Sequence, residues 1–180
     1  MIKKKQTFER ASRKILKELL TSVLKNPRLR KRAGMKLPTS GDVAISCDVE
    51  FVSGSVMKKL NGKFRNKNEP TVILSFPAHK IFQAHGHLGD LVICVPVVEK
   101  QSKEYGHGYQ EELEVLLAHG VLHLLHFDHE NGGKEALQMK KEEASLLGTH
   151  GLIHRGSAAA PRSFAQSGVA PRKSKAPRRK

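Results

Sequence analysis

Four histidines lie within an eleven-residue stretch of a leucine- and valine-rich segment, and their spacing suits a metal ion. His119 and His123 are four residues apart, so a helix would place them on one face, about one turn apart. His129 follows six residues later, after room for a turn, and can complete a three-histidine set. Three protein ligands with an open position are typical of catalytic zinc, where water is the fourth ligand. The spacing therefore predicts a metal site formed by His119, His123 and His129.

The alternative is a cluster of neutral core histidines bonded to backbone carbonyl groups. Burial of each histidine without a partner would cost about 1–3 kcal/mol, and this alternative must account for all four of them. We therefore predict one metal ion per chain. Imidazole ligands suit zinc, and nickel or another divalent metal is the alternative.

The residue after the first histidine separates this pattern from the zinc peptidases. Those enzymes carry H-E-x-x-H and use the glutamate as a general base, whereas Gly120 stands at that position here. A peptidase is therefore disfavoured. A metal at the site would still lower the pKa of its water to near neutral and polarise a bound oxygen. With a polyanionic substrate, the predicted reaction is phosphodiester hydrolysis.

The positive charge of the chain is concentrated at its two ends. The formal net charge is +15. Residues 1–36 hold 13 Lys/Arg and two acids, and residues 151–180 hold eight Lys/Arg and no acid. Between them, residues 37–150 hold 11 Lys/Arg and 15 acids. Basic flanks around a mildly acidic middle favour a polyanionic partner, most simply nucleic acid. Solubilising tails are the alternative.

Periodicity and breaker residues divide the chain into short elements and a tail. We predict a helix over 7–25, a basic loop over 26–41, a strand over 42–52, a helix capped by Ser53, strands over 71–76 and 90–98 with a loop at 78–89 between them, and helices near 110–126 and 134–147. From 155 onward the composition is rich in Ala, Pro, Ser and Arg, which predicts a disordered basic tail. This gives one domain over 1–154, with its basic helix and loop at 1–41, and a tail over 155–180.

Compartment signals are sparse. No run approaches the roughly 18 apolar residues of a membrane helix, so we expect no membrane association. Cys47 and Cys94 lie in apolar, strand-like stretches, which favours buried thiols in a reducing compartment. The first residues, MIKKKQ, do not resemble a secretory signal. We predict a cytoplasmic protein, or one of an organellar matrix if residues 1–36 act as a transit peptide.

The segment HGVLHLLHFDH, residues 119–129, closely resembles the signature of the YbeY family, the metal-dependent endoribonucleases of rRNA maturation. Two further stretches agree in the same order. One is LNGKFR at 60–65 with PTVILSFP at 70–77, and the other is LGDLVIC at 88–94. The resemblance covers about residues 42–150, and the first helix fits it in placement only.

The resemblance implies an α+β fold, with a small mixed β-sheet packed against helices and the three-histidine metal site on a central helix. It implies His119, His123 and His129 as the ligands, zinc as the metal and Arg65 as the functional arginine. The guanidinium group of arginine is well suited to hold a phosphate or to stabilise transition-state charge. A surface arginine in the basic run 63–67 is the alternative. The implied activity is cleavage of single-stranded RNA in 16S-type rRNA 3′-end maturation, in contact with a ribosomal subunit.

The chain departs from the family pattern at two positions. His126 stands where the family generally has glycine, and a continued helix would make it an alternative ligand to His129. Val72 stands where family members usually carry Asp or Asn, so a hydrogen-bonding group near the site is missing. Asp128 could bond a ligating imidazole or cap the turn. Asp90 is interpreted as structural, and the loop histidines 79, 85 and 87 as solvated.

Two function classes follow from these observations. The first is a metal-dependent endoribonuclease acting on single-stranded rRNA, supported by the histidines, Arg65 and the basic flanks. The second is a non-catalytic ribosome- or RNA-binding protein with a structural metal, for which Val72 and His126 are the motivation. The low aromatic content, 5%, argues against base stacking and favours electrostatic binding.

Overall fold

The computed structural model describes residues 2–35, 45–129 and 132–155. These residues form seven helices and three strands. They are α1 (Ile2–Lys25), α2 (Pro27–Arg32), β1 (Ser46–Val52), α3 (Gly54–Arg65), β2 (Ile73–Pro77), α4 (Lys80–Ala84), β3 (His87–Cys94), α5 (Val95–Glu104), α6 (Tyr109–Leu124) and α7 (Gly133–Arg155).

The three strands form one mixed sheet in the order β1-β3-β2. The central strand β3 runs parallel to β1 and antiparallel to β2. In β1, Cys47, Val49 and Phe51 are half-buried or buried while Ser46, Asp48 and Glu50 are exposed, which confirms the predicted period-two alternation. The small mixed sheet among helices confirms the predicted α+β class.

The helix that carries His119 and His123 lies across one face of the sheet. Its side chains contact Ile73 and Leu91 in the main core, which also includes α1. A smaller cluster of Met57, Leu74 and Cys94 lies on the other face, where α3 and α5 pack. Every residue of α6 from Val115 to Leu124 is buried, as expected for a helix that is apolar on all sides.

Two of the predicted loops contain helices. Residues 26–41 were expected to form a loop, but Asn26 accepts hydrogen bonds from the amides of Arg28 and Leu29, and Pro27 opens α2. Proline is favourable at the first helical position because its missing N–H would be unsatisfied there. The expected loop over 78–89 contains α4 and the first three residues of β3, so this prediction was also wrong.

The strand predicted over 90–98 ends earlier than expected. It ends at Cys94, and α5 begins at Val95 with Pro96 in its first turn. Pro96 was expected to lie within the strand, and here it lies in the first turn of a helix. The predicted end of the last helix, 147, coincides with a real break, because Gly148 has φ 60° and ψ −152° within α7.

The predicted disordered tail lies outside the described residues, apart from Arg155 at the end of α7. Among the residues that are described, no helix combines the length and the apolar character needed to cross a membrane.

Glu112 is a buried carboxyl group in the first turn of α6, 3.2 Å from Nε2 of His107. Burial raises the pKa of this carboxyl from 4.5 to about 7. The folded chain therefore holds the proton more tightly than the unfolded chain. Stability from that proton is fully present below pH 4.5 and is lost as the pH rises through about 7.

In the wild type, the free energy of unfolding should fall by about 2 kcal/mol between about pH 5 and pH 8, because Glu112 loses its proton. The Glu112→Gln variant should lack this fall. Urea titrations of both proteins at the two pH values measure this loss. The difference between the two proteins cancels the contributions of groups that titrate equally in both. An identical pH dependence in wild type and variant would contradict the assignment.

Candidate metal centre

The first two histidines of the predicted site share the buried face of α6. His119 is 3% exposed and His123 is 1% exposed. Their Nε2 atoms lie 3.1 Å apart, and their ring centroids are 4.6 Å apart. The i, i+4 spacing thus places two imidazole nitrogens close together in the protein interior.

A tight turn after α6 brings the third histidine back to this point. His126 has φ 64°, and the amide of Phe127 donates to the carbonyl of Leu122 at 3.0 Å, the pattern in which a left-handed residue ends a helix. The ring centroid of His129 then lies 5.1 Å from that of His119 and 5.2 Å from that of His123. One ligand atom from each of the three histidines lies within 4.8 Å of the other two.

The turn directs His126 away from this cluster. Its side chain is exposed, and its Nε2 lies 2.9 Å from Oε1 of Gln83 on α4. The continued helix that would have made His126 a ligand does not form. The structure therefore brings together His119, His123 and His129, as the sequence spacing predicted, and leaves out His126.

Hydrogen bonds at the far sides of the rings orient the Nε2 atoms. Nδ1 of His123 lies 2.9 Å from the carbonyl of Phe127. A carbonyl only accepts, so Nδ1 carries the proton and Nε2 of the neutral ring presents a lone pair. Nδ1 of His119 lies 3.5 Å from Oε1 of Glu143, a buried carboxylate on α7. An ionised Glu143 selects the same tautomer in His119.

Two lone pairs facing each other at 3.1 Å repel unless a cation lies between them. Two nitrogens on one tetrahedral zinc ion, each about 2.0–2.1 Å from it, are roughly 3.3 Å apart. Burial, together with His119 and His129, lowers the pKa of His123 to about 3, which keeps this imidazole neutral. The donor set therefore fits a divalent metal ion.

The position after the first histidine faces the sheet. A Cβ atom on Gly120 would lie 2.8 Å from Cδ1 of Ile73 and 2.8 Å from Cδ2 of Leu91. A glutamate at this position would point into the apolar layer between α6 and the sheet. The general base of the zinc peptidases therefore has no place here, which agrees with the sequence argument against a peptidase.

Two residues that the sequence analysis did not identify support the cluster. Glu143 is one, and it lies 24 positions after the histidine that it contacts. Arg32 of α2 is the other. Its guanidinium group donates to the carbonyls of Leu125 at 3.2 Å and His126 at 2.7 Å, and lies 4.0 Å from the ring centroid of Phe127. Arg32 thus holds the turn between the second and third histidines.

The structure places the other candidate residues around this centre. Asp128 is half-buried and acts electrostatically on His123. Val72 is buried in the main core, and its carbonyl accepts from the amide of Cys94. Arg65 ends α3 beside the edge strand β2. The ring centroid of the neighbouring Phe64 lies 5.0 Å from that of Phe76 in β2. Nη1 of Arg65 is buried. Its contact with a phosphate stays a prediction.

A second group of potential ligands occurs on the sheet. Asp48, His87 and Asp90 also present ligand atoms within 4.8 Å of one another. Both carboxylates are exposed and His87 is half-buried, so water can satisfy them without an ion. The buried three-histidine cluster is the candidate metal centre for this reason.

We expect Glu143→Gln to weaken metal binding about 10- to 100-fold, because partners that orient a ligating histidine typically contribute that much. Competition with a chromogenic chelator measures the affinity. The neighbouring Glu142 provides a matched control, since it is also buried and lies on α7, but it lies 3.4 Å from Nδ2 of Asn26. Equal losses in Glu142→Gln and Glu143→Gln would contradict the orienting role.

Comparison with known proteins identifies related chains. The family model described as Endoribonuclease YbeY matches residues 1–154. A protein of that name from Aquifex aeolicus is 32% identical over 139 residues, which cover 77% of this chain and 93% of the relative. Another, from Thermodesulfovibrio yellowstonii, is 35% identical over 151 residues, which cover 82% of this chain and 93% of the relative. A third, from Bdellovibrio bacteriovorus, is 47% identical over 89 residues, which cover 49% of this chain and 57% of the relative.

Proposed function

We propose that this chain, which belongs to the Endoribonuclease YbeY family, is a metal-dependent endoribonuclease that cleaves single-stranded RNA during rRNA 3′-end maturation. The observation that carries the metal dependence is the buried cluster of His119, His123 and His129. The Nε2 atoms of His119 and His123 lie 3.1 Å apart, and the Nδ1 atoms of the same two residues lie against Glu143 and the carbonyl of Phe127.

We assign one divalent metal, zinc, to His119, His123 and His129. When bound, it supplies Lewis acidity and a water with a pKa near neutrality. The chain supplies the orientation. Glu143 and the Phe127 carbonyl fix the two helix imidazoles, and Arg32 fixes the turn that carries the third. Three protein ligands leave a coordination position open, as a hydrolytic centre requires.

Arg65 is the proposed phosphate-binding group. It ends α3, where the ring centroid of the preceding residue, Phe64, lies 5.0 Å from that of Phe76 in β2. Its guanidinium group can hold two phosphate oxygens and neutralise charge that develops during cleavage. The basic residues of the two chain ends add sequence-independent affinity for RNA, which salt should weaken strongly. A ribosomal subunit is the proposed location of the substrate.

The test combines metal analysis with cleavage of one RNA in two states. The purified chain should hold about one divalent ion. It should cleave an rRNA 3′-end fragment as a single strand, and much more slowly when a complementary strand covers the fragment. Metal removal with a chelator should stop cleavage, and zinc should restore it. Stable binding of the fragment without cleavage, in metal-loaded protein, would favour the alternative of a non-catalytic RNA-binding protein.

A further inference from the structure

Two large apolar side chains stand out from the surface on α4. Ile81 is 62% exposed and Phe82 is 61% exposed, and they are neighbours in the sequence. The helix has only five residues, yet its orientation is fixed by Gln83, whose side chain is buried. An exposed aromatic ring on a fixed helix is unusual in a chain with so few aromatic residues. This exposed ring differs from the loop expected over 78–89, and it offers a stacking surface that the low aromatic content, 5%, argued against.

Gln83 joins α4 to the end of the histidine helix. Its Nε2 donates to the carbonyl of Leu124 at 3.1 Å and to that of Leu88 at 3.2 Å. Its Oε1 lies 2.9 Å from Nε2 of His126. Leu124 directly follows His123, and His126 lies in the turn that leads to His129. Helix α4 therefore lies beside the metal centre, with Phe82 next to the residue that anchors it.

The residues of the segment that carries these apolar side chains suit an anion. Residues 78–89 include no acid, and Lys80 is exposed. Nδ1 of His79, also exposed, accepts from the amide of Ile81. The proton of the neutral His79 ring is then on Nε2, which can donate outward. A flat apolar ring beside a cation and an N–H donor matches an unpaired base and its phosphate.

We propose that Ile81 and Phe82 form a platform that binds single-stranded RNA beside the metal centre. The Phe82 ring stacks on an unpaired base, Ile81 packs against the same nucleotide, and Lys80 contacts a backbone phosphate. The proposal rests on the proposed endoribonuclease function for its substrate class. Bases buried within a duplex cannot reach such a platform, so it selects single strands, and it tolerates any base because every base has a π face.

The absence of tryptophan from the chain allows a direct test. Phe82→Trp introduces a single tryptophan at the platform, and excitation at the red edge of its absorption avoids the two tyrosines. Leu137→Trp is the matched control, since Leu137 is also 61% exposed but lies on α7. Full-length, metal-loaded proteins are mixed with a short single-stranded oligoribonucleotide in a stopped-flow instrument, so that quenching on binding is recorded before the slower cleavage. We expect strong quenching in Phe82→Trp, little in Leu137→Trp, and little in either with duplex RNA.

Anisotropy of labelled RNA then measures affinity. We expect Phe82→Ala to weaken single-strand binding about 5- to 100-fold and Phe82→Tyr to stay within about twofold of wild type. We expect Lys80→Gln to lower the slope of log affinity against log salt by about one. Full affinity in Phe82→Ala, or bound RNA that quenches neither tryptophan, would overturn the proposal. So would a loss of self-association or protein binding in Phe82→Ala at unchanged RNA affinity.

The two proposals fail in different ways. Quenching and the Phe82→Ala loss in a metal-loaded protein that never cleaves RNA would keep the platform and contradict the endoribonuclease function. Metal-dependent cleavage with wild-type kcat and KM in Phe82→Ala would keep the endoribonuclease function and contradict the platform. A platform that positions RNA predicts a rise in KM that is larger than the fall in kcat.

Discussion

Replacement of His123 by alanine is expected to abolish both metal retention and RNA cleavage. His123 is the most buried of the three clustered histidines, and its Nε2 lies 3.1 Å from that of His119. Without it the cluster keeps two imidazoles, too few for a stable catalytic zinc site. Metal content by mass spectrometry and single-turnover cleavage of a labelled fragment measure the two effects. Cleavage at the wild-type rate by a metal-free variant would contradict the proposed chemistry.

His126→Gly provides the matched control. It removes an imidazole from the same segment, and glycine adopts φ 64° without the strain that a larger residue has there. We expect this variant to keep its metal and its activity, and His129→Ala to lose both. The reverse result, with metal lost in His126→Gly and kept in His129→Ala, would assign the third position to His126.

The sequence was sufficient to predict the elements whose signals are local. The histidine helix, the strand near residues 71–76 and the alternation in β1 follow from apolar periodicity, and the meeting of His119 with His123 follows from helical spacing. To place His129 beside His119 and His123, the chain needs only a turn after α6. That turn forms although His126, which is not glycine, occupies its left-handed position, because Arg32 and Phe127 hold it in place.

The errors arose where one residue type has two structural uses. Pro96 was assigned to the strand over 90–98 and instead occupies the first turn of α5. The Asn26-Pro27 pair was assigned to a loop, although the two residues cap and open α2. The second error also hid Arg32, since the guanidinium group reaches the metal turn only because α2 is a helix packed beside it.

The parts of the site that sequence could not predict are tertiary contacts. Glu143 reaches His119 across the contact between α6 and α7, and no spacing rule links residues 119 and 143. Gln83 bonds a carbonyl at the end of α6 from a segment that was assigned to a solvated loop. Each of these contacts depends on how helices pack, which one chain's periodicity does not specify.

The second large effect is expected at Arg65. We expect Arg65→Ala to lower kcat for RNA cleavage about 10²- to 10³-fold, the usual cost of removing one group that stabilises transition-state charge. Metal content should not change, because Arg65 lies on α3 and the three histidines lie on α6 and the turn that follows it. Arg65→Lys should recover little of the rate, since an ammonium group cannot hold two phosphate oxygens as a guanidinium group does.

Lys63→Ala is the control for general charge. Lys63 lies one position before Phe64 in the last turn of α3 and is exposed, so its loss should weaken RNA binding slightly and leave kcat unchanged. Thermal melts must show that Arg65→Ala is folded, because Nη1 of Arg65 is buried. If a folded, metal-loaded Arg65→Ala cleaves RNA as fast as Lys63→Ala, then Arg65 is a surface residue of a basic run. Loss of kcat in Arg65→Ala alone would make the guanidinium group part of the reaction.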